Sequence, residues 1–280
     1  MRLPGFIRRW KRSVMRPAST KTAPTSMGRS PRSGDSPVVS KSSTTTVSAL
    51  PGRVLSFHNP KEGFPMAKPI ALVAGSSGLV GKECLRLLVD DAGVEEVRAL
   101  VRRPLSAETQ PLGNIRECKV DFDRLEEHAD WFAADWVFCA LGTTIRQAGS
   151  QDAFRRVDFD YPLAVARTAR AAGARHFLLV SAAGADARSR VFYNRVKGEL
   201  EEAVRRLGYP SLTIARPSLL LGDRPAPRLG EEIGKRLAWL FPSKWKPVQA
   251  SQVALALLRS AQADEPGVRI LENTDIHGRQ

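Results

Sequence analysis

Residues 70–81 read Ile-Ala-Leu-Val-Ala-Gly-Ser-Ser-Gly-Leu-Val-Gly, and this stretch decides the fold. Ile70 to Ala74 is a short apolar run, the pattern of a strand covered on both faces. It ends in Gly75-x-x-Gly78-x-x-Gly81. A glycine at 75 permits the tight turn off the strand. One at 78 lets a pyrophosphate approach the backbone, and one at 81 lets the following helix pack closely on the sheet. That helix, through Lys82, Glu83, Cys84, Leu85, Leu88 and Val89, aims its unpaired N–H groups and positive dipole end at the phosphates. Between a buried strand and an amphipathic helix, the glycine spacing is a strong dinucleotide-binding signal.

The rest of the chain after Met66 alternates strands with helices. Strands are predicted at Val97–Val101, Ile115–Val120, Trp136–Leu141, His176–Ser181, Ser211–Ala215 and Val268–Glu272. Helical stretches are predicted over residues 124–134, 151–172, 192–207 and 249–258, with Pro162 kinking the second of these or opening a new helix. Such alternation implies an α/β fold: a Rossmann-like, doubly wound parallel sheet with right-handed crossovers. Gly75, Arg102, Asp121, Gly142 and Ser181 fall at strand ends, where such sheets bind their ligands. Residues 66–280 are expected to form one NAD(P)-binding domain with a small C-terminal substrate lobe from about residue 222. That lobe holds Arg224–Arg228, a helix around Ile233–Leu240, and Trp245.

The formal net charge of +14 suggests a nucleic-acid partner until its distribution is considered. Residues 1–65 hold 12 Lys/Arg and two acids, so +10 of the charge lies there and the body is near balance. No aromatic-basic alternation marks a nucleic-acid face. From Pro17 to Pro65 the chain is rich in Ser, Thr, Pro and basic residues and is expected to be a disordered tail. Leu3, Ile7, Trp10 and Val14 interleave with arginines at helical spacing, which suits a transit peptide or a membrane-surface helix. The preferred reading is a start mis-assigned upstream of Met66 or a dispensable tail, and a cytoplasmic protein. No run of 18 apolar residues suggests an integral membrane span. Cys84, Cys118 and Cys139 lie in apolar segments and are odd in number, so they read as buried thiols in a reducing compartment, with no metal site.

Tyr193-x-x-x-Lys197 puts a phenol and an ammonium at i and i+4 of one helix, pointing the same way. A lysine cation favours phenolate, the condition for a tyrosine to act as general acid or base. Ser181, at the end of the preceding strand, can hold a substrate oxygen. Arg102 and Arg103 stand about 20 residues past the glycines, where an acid would select NAD; a guanidinium there suits a 2′-phosphate instead.

These motifs, with Arg216-Pro217 after the next strand, resemble the short-chain dehydrogenase/reductase superfamily in its extended and atypical members. LGTTIRQAGS (141–150), FRRVDFDYPL (154–163), FYNRVKGELE (192–201) and IARPSLLLG (214–222) are similar to its Tat-interacting-protein-like branch of NAD(P)-binding oxidoreductases. The resemblance covers residues 68–275. It implies a Rossmann-like sheet holding NADP(H), which the two arginines favour over NAD(H), and Ser181, Tyr193 and Lys197 as catalytic residues, Lys197 also bonding the nicotinamide ribose. The expected cofactor contacts are Gly75, Ser76, Ser77, Gly78, Leu79, Val80, Gly81, Arg102, Arg103, Asp121, Leu141, Gly142, Thr143, Arg216 and Pro217. The family's fourth catalytic partner, often asparagine, is assigned to no residue.

The expected function is an NADP(H)-dependent oxidoreductase acting on a small carbonyl or alcohol, and a homodimer is compatible with it. One alternative is a nucleotide-sugar epimerase or dehydratase, disfavoured by the short lobe. Another is a non-catalytic NADP(H)-sensing regulator.

Overall fold

The computed structural model describes residues 67–105, 115–222 and 245–278. The expected tail, the segment Arg224–Arg228 and the helix around Ile233–Leu240 lie outside them. Seven parallel strands form the sheet: β1 (Ile70–Ala74), β2 (Glu96–Val101), β3 (Ile115–Lys119), β4 (Trp136–Cys139), β5 (His176–Val180), β6 (Ser211–Arg216) and β9 (Gly267–Glu272). They lie in the order β3-β2-β1-β4-β5-β6-β9. Two short strands, β7 (Leu220–Leu221) and β8 (Val248–Gln249), pair separately. The chain winds outward from β1 to β3, returns to place β4 on the other side of β1, and winds outward again. The crevice between β1 and β4 is therefore the topological switch point, where such sheets bind ligands.

The alternation along the strands builds two cores, because successive side chains leave opposite faces. Leu72, Val137, Phe177 and Leu179 join one core. Ala71, Val73, Phe138, Leu178 and Val180 join the other. The second is closed by α1 (Leu79–Asp90) and α6 (Ala250–Ala263), the first by α4 (Tyr161–Ala171) and α5 (Phe192–Arg205). Two covered faces explain why the strands read as near-continuous apolar runs.

Two predicted elements take a different form. Residues Leu125–Phe132 make a 3₁₀ helix interrupted at His128. Its carboxyl end is held by Arg98, which donates to the carbonyls of Asp130, Trp131 and Ala133. The predicted 151–172 helix is divided into α3 (Gln151–Arg155), a π turn (Arg156–Asp160) and α4. Pro162 supplies the cause: it has no N–H, and its ring cannot sit against the carbonyl four residues earlier, that of Asp158, so the ladder widens. A one-turn helix, α2 (Ile145–Ala148), lies in a stretch to which the sequence assigned no element; Thr144 caps it by accepting from the Gln147 N–H at 3.2 Å.

The three cysteines are free and buried. Burial pushes the thiols up, to about 12 for Cys84 and about 11 for Cys139.

His176, 1% exposed at the start of β5, meets Thr213 through Nε2 at 3.0 Å. Burial lowers its pKa to about 4 against the pull of Asp264. The unfolded chain therefore binds a proton that the folded chain refuses. This stabilisation is complete above the unfolded value near 6.5 and is lost as the pH falls toward 4, by about 3 kcal/mol. Chemical denaturation of the wild type between pH 7 and 4 should show that loss. His176→Gln, which cannot titrate, should flatten this part of the stability curve.

Candidate active site

At the end of β1 the chain turns through Gly75 at φ +87°, a conformation in which a side chain is strained. A Cβ on Gly75 would lie 2.6 Å from the Ala140 carbonyl carbon, and one on Gly81 would lie 2.1 Å from the Gly75 oxygen. The turn thus touches the end of β4 on one side and the first turn of α1 on the other. Gly78 starts the helix in extended conformation without a side-chain cap, so no capping side chain occupies the amino-terminal N–H groups. Beside this turn lies a cavity of about 470 Å³ lined by Gly75, Ser76, Ser77, Arg102, Arg103 and Leu141, together with Lys82. The sequence reading did not single out Lys82. It stands on the first turn of α1, three residues past a motif leucine, and adds a third cation to the two arginines. A glycine cradle with no room for Cβ atoms, a helix amino terminus and three cations fit a dinucleotide's phosphates.

The second part of the site is built on α5. Tyr193 and Lys197 lie one turn apart, and the Tyr193 ring packs 5.6 Å from that of Phe154 in α3. Lys197 is 3% exposed, and its Nζ lies 2.8 Å from Asp158 Oδ1, itself fully buried. Asp158 Oδ2 accepts the Thr143 N–H at 2.8 Å. Burial alone works against the Lys197 charge. Asp158, and then Tyr193, more than offset it, so its pKa is raised. A Cβ on Gly142 would come within 3.2 Å of Asp158 and 3.6 Å of Lys197 Nζ. Gly142, Thr143, Asp158 and Lys197 therefore form one contact group at the carboxyl end of β4.

Asp158 was missed by sequence reasoning because it looks like one more acid in a charged helix. The available signal was Pro162, four residues on, which marks the widened turn that carries it. Glu201 was missed for the same reason. It continues the Tyr193–Lys197 stripe by one more turn and is 1% exposed. Ser181 Oγ donates to Glu201 Oε1 at 2.6 Å, and Arg216 forks onto the same carboxylate at 3.0 and 2.6 Å. Arg216 also reaches Glu272 on β9 at 2.9 Å.

Ser181 and Tyr193 line a second cavity of about 570 Å³, with Pro217 on its wall. Among the other predicted residues, Asp121 accepts the Asp123 N–H at 3.0 Å within its own turn, Val80 is buried in the core, and Leu79 packs near Gly222. Asp121 and Arg216 line neither cavity.

The fold and the glycine cradle define a nicotinamide-dinucleotide-binding protein of Rossmann type. Comparisons agree. The family model described as NAD(P)H-binding matches residues 75–236. Protein HTATIP2 of Rattus norvegicus is 37% identical over 221 residues, covering 77% of this chain and 91% of the relative. Protein FMP52-1, mitochondrial, of Scheffersomyces stipitis is 33% identical over 223 residues, covering 74% and 96%. Among solved structures, the Bordetella bronchiseptica enzyme WbmG in complex with NAD and UDP has a TM-score of 0.56 at 18% identity, covering 72% of each chain. The chain belongs to the NAD(P)H-binding family, in the HTATIP2-like branch of the atypical short-chain dehydrogenases/reductases. Among the described residues, no helix is long and apolar enough to cross a membrane.

The buried pair yields a test. Removing one partner of such a pair leaves the other charge uncompensated, at a cost of about 3–5 kcal/mol. Asp158→Asn should lose roughly that much in urea denaturation at pH 7. With its counter-charge gone, Lys197 would titrate below its unfolded value. The stability gap between the wild type and the variant should therefore narrow as the pH rises from 7 to 10, the titration of the buried thiols being common to both.

Proposed function

We propose that the protein is an NADP(H)-dependent oxidoreductase acting on a small carbonyl or alcohol. The observation that carries this reading is the placement of Tyr193. Its phenol lines a cavity, and the ammonium one turn along its helix is held charged by Asp158. A bound nicotinamide supplies the hydride. Tyr193 gives its proton to the carbonyl oxygen in reduction and removes it from the hydroxyl in oxidation. Lys197 stabilises the phenolate between these two states and, with the cofactor bound, would hydrogen-bond the nicotinamide ribose. Ser181, its proton engaged by Glu201, offers lone pairs that orient a substrate hydroxyl.

The cavity beside the glycine turn supports NADP(H) over NAD(H), because Arg102, Arg103 and Lys82 line it. A ribose 2′-phosphate would meet guanidinium forks there rather than a carboxylate. For location, the preferred reading is a cytoplasmic enzyme. The mitochondrial name of the Scheffersomyces relative supports the alternative, in which the basic N-terminal segment directs the chain to an organelle.

Calorimetry should find NADPH bound more tightly than NADH, with Arg102→Asp reducing or inverting the preference. Equal wild-type affinities would remove the arginine argument.

Tyr193→Phe keeps the ring packed against Phe154 but removes the transferable proton. Turnover of a reducible carbonyl should fall by roughly 10²-fold or more, the scale of a positioned acid/base, with NADPH affinity nearly unchanged. A Tyr193→Phe protein with full activity would take Tyr193 out of the mechanism. NADPH binding without turnover of any carbonyl would favour the sensor.

A further inference from the structure

The second cavity differs in chemistry from the first. Its wall is mostly Ala183, Pro217, Leu219, Leu220, Trp245 and Pro247, and none of the described residues lining it carries a charge. Arg216, next to Pro217, is turned away onto Glu201 and Glu272. Leu219 and Trp245 remain 37% and 42% exposed, so the site presents large apolar side chains at the surface. Three hydroxyls line it, those of Ser181, Ser218 and Tyr193. Ser181 already donates to Glu201, and Ser218 donates to the Lys246 carbonyl. Of these three hydroxyls, the phenol of Tyr193 is the one left to donate to a ligand.

A ligand suited to this lining has one oxygen that needs a donor and an otherwise apolar body. A nucleotide sugar brings a diphosphate, which would meet no charged group among the described lining, and more hydroxyls than the lone pairs of Ser181 and Ser218 can bind, a costly exchange. At about 570 Å³ the cavity falls in the range of sites that enclose small organic ligands.

We infer that this cavity takes the body of an apolar aldehyde or ketone, seated on Leu219, Leu220 and Trp245 with its oxygen at Tyr193. The chemistry rests on the oxidoreductase reading; the binding does not. In the reaction the carbonyl carbon gains a hydride and its oxygen gains the Tyr193 proton, giving an alcohol as NADPH is oxidised to NADP⁺.

Two measurements on the full chain test this. The first compares NADPH oxidation with butanal and octanal. Each methylene buried is worth roughly a fourfold gain in binding, so four of them should raise kcat/KM by roughly 10²-fold. The second is calorimetric binding of octan-1-ol, which NADPH cannot reduce, against UDP-glucose. Octan-1-ol should bind more tightly. Leu219→Asp places a charge at an exposed wall position and should weaken octan-1-ol binding at least tenfold, with octanal turnover hurt more than that of butanal. Octan-1-ol binding that Leu219→Asp abolishes, with no aldehyde reduced, would uphold the apolar site and sink the oxidoreductase reading. Equal kcat/KM for the two aldehydes would overturn the apolar site while leaving an active reductase in place, and tighter binding of UDP-glucose than of octan-1-ol would overturn the apolar site by itself.

Discussion

At the carboxyl end of β1 three pieces of backbone meet with no space for a side chain between them. The Gly75 turn lies against the end of β4, and the first turn of α1 lies against Gly75 itself. This contact sets the position of α1 on the sheet and opens the crevice between β1 and β4. The groups that face a ligand are arranged around it: the cations beside the turn, the amino terminus of α1, and the residues that follow β4. An alanine at Gly75 or Gly81 would press a methyl onto backbone atoms, which cannot rotate out of the way as a flexible side chain can.

Charge is handled differently in the two halves of the crevice. Beside the glycine turn Arg102, Arg103 and Lys82 line an open cavity, where cations are ready for an anionic ligand. Around α5 the charges are buried and paired. Lys197 meets Asp158, and Glu201 holds Ser181 and Arg216 together. Buried pairs of this kind add little net stability over apolar packing, but they fix side chains in one arrangement. The Lys197–Asp158 pair ties α5 to the π turn and, through Thr143, to the loop after β4. The Glu201 network ties α5 to the ends of β5, β6 and β9. Tyr193 thus stands on a helix anchored on both sides by charge, while the cavity before it is left mostly to apolar side chains.

Much of this was legible in local sequence. The runs at β1, β4, β5 and β6 are apolar because both faces of the sheet are covered, and that pattern needs no knowledge of neighbours. The glycines mark the turn, and Tyr193 and Lys197 share a face through helix geometry alone. The 3₁₀ form of Leu125–Phe132 was not legible, because its end depends on Arg98 reaching three carbonyls from another strand. Asp158 and Glu201 were not legible as special either. Pro162 and the helical stripe mark their positions, but whether each carboxylate is buried and paired is set by segments distant in the chain.

The sequence by itself therefore determined the strand-helix alternation, the glycine turn and the pairing of Tyr193 with Lys197. Each follows from backbone sterics and periodicities of two and 3.6 residues, which act over a few positions. Tertiary structure alone decided that Asp158 keeps Lys197 charged, that Ser181 donates its hydroxyl hydrogen bond to Glu201, and that Arg216 turns from the crevice to a buried carboxylate. Those outcomes depend on electrostatics between groups brought together only by the fold, where loss of water makes the nearest opposite charge decisive.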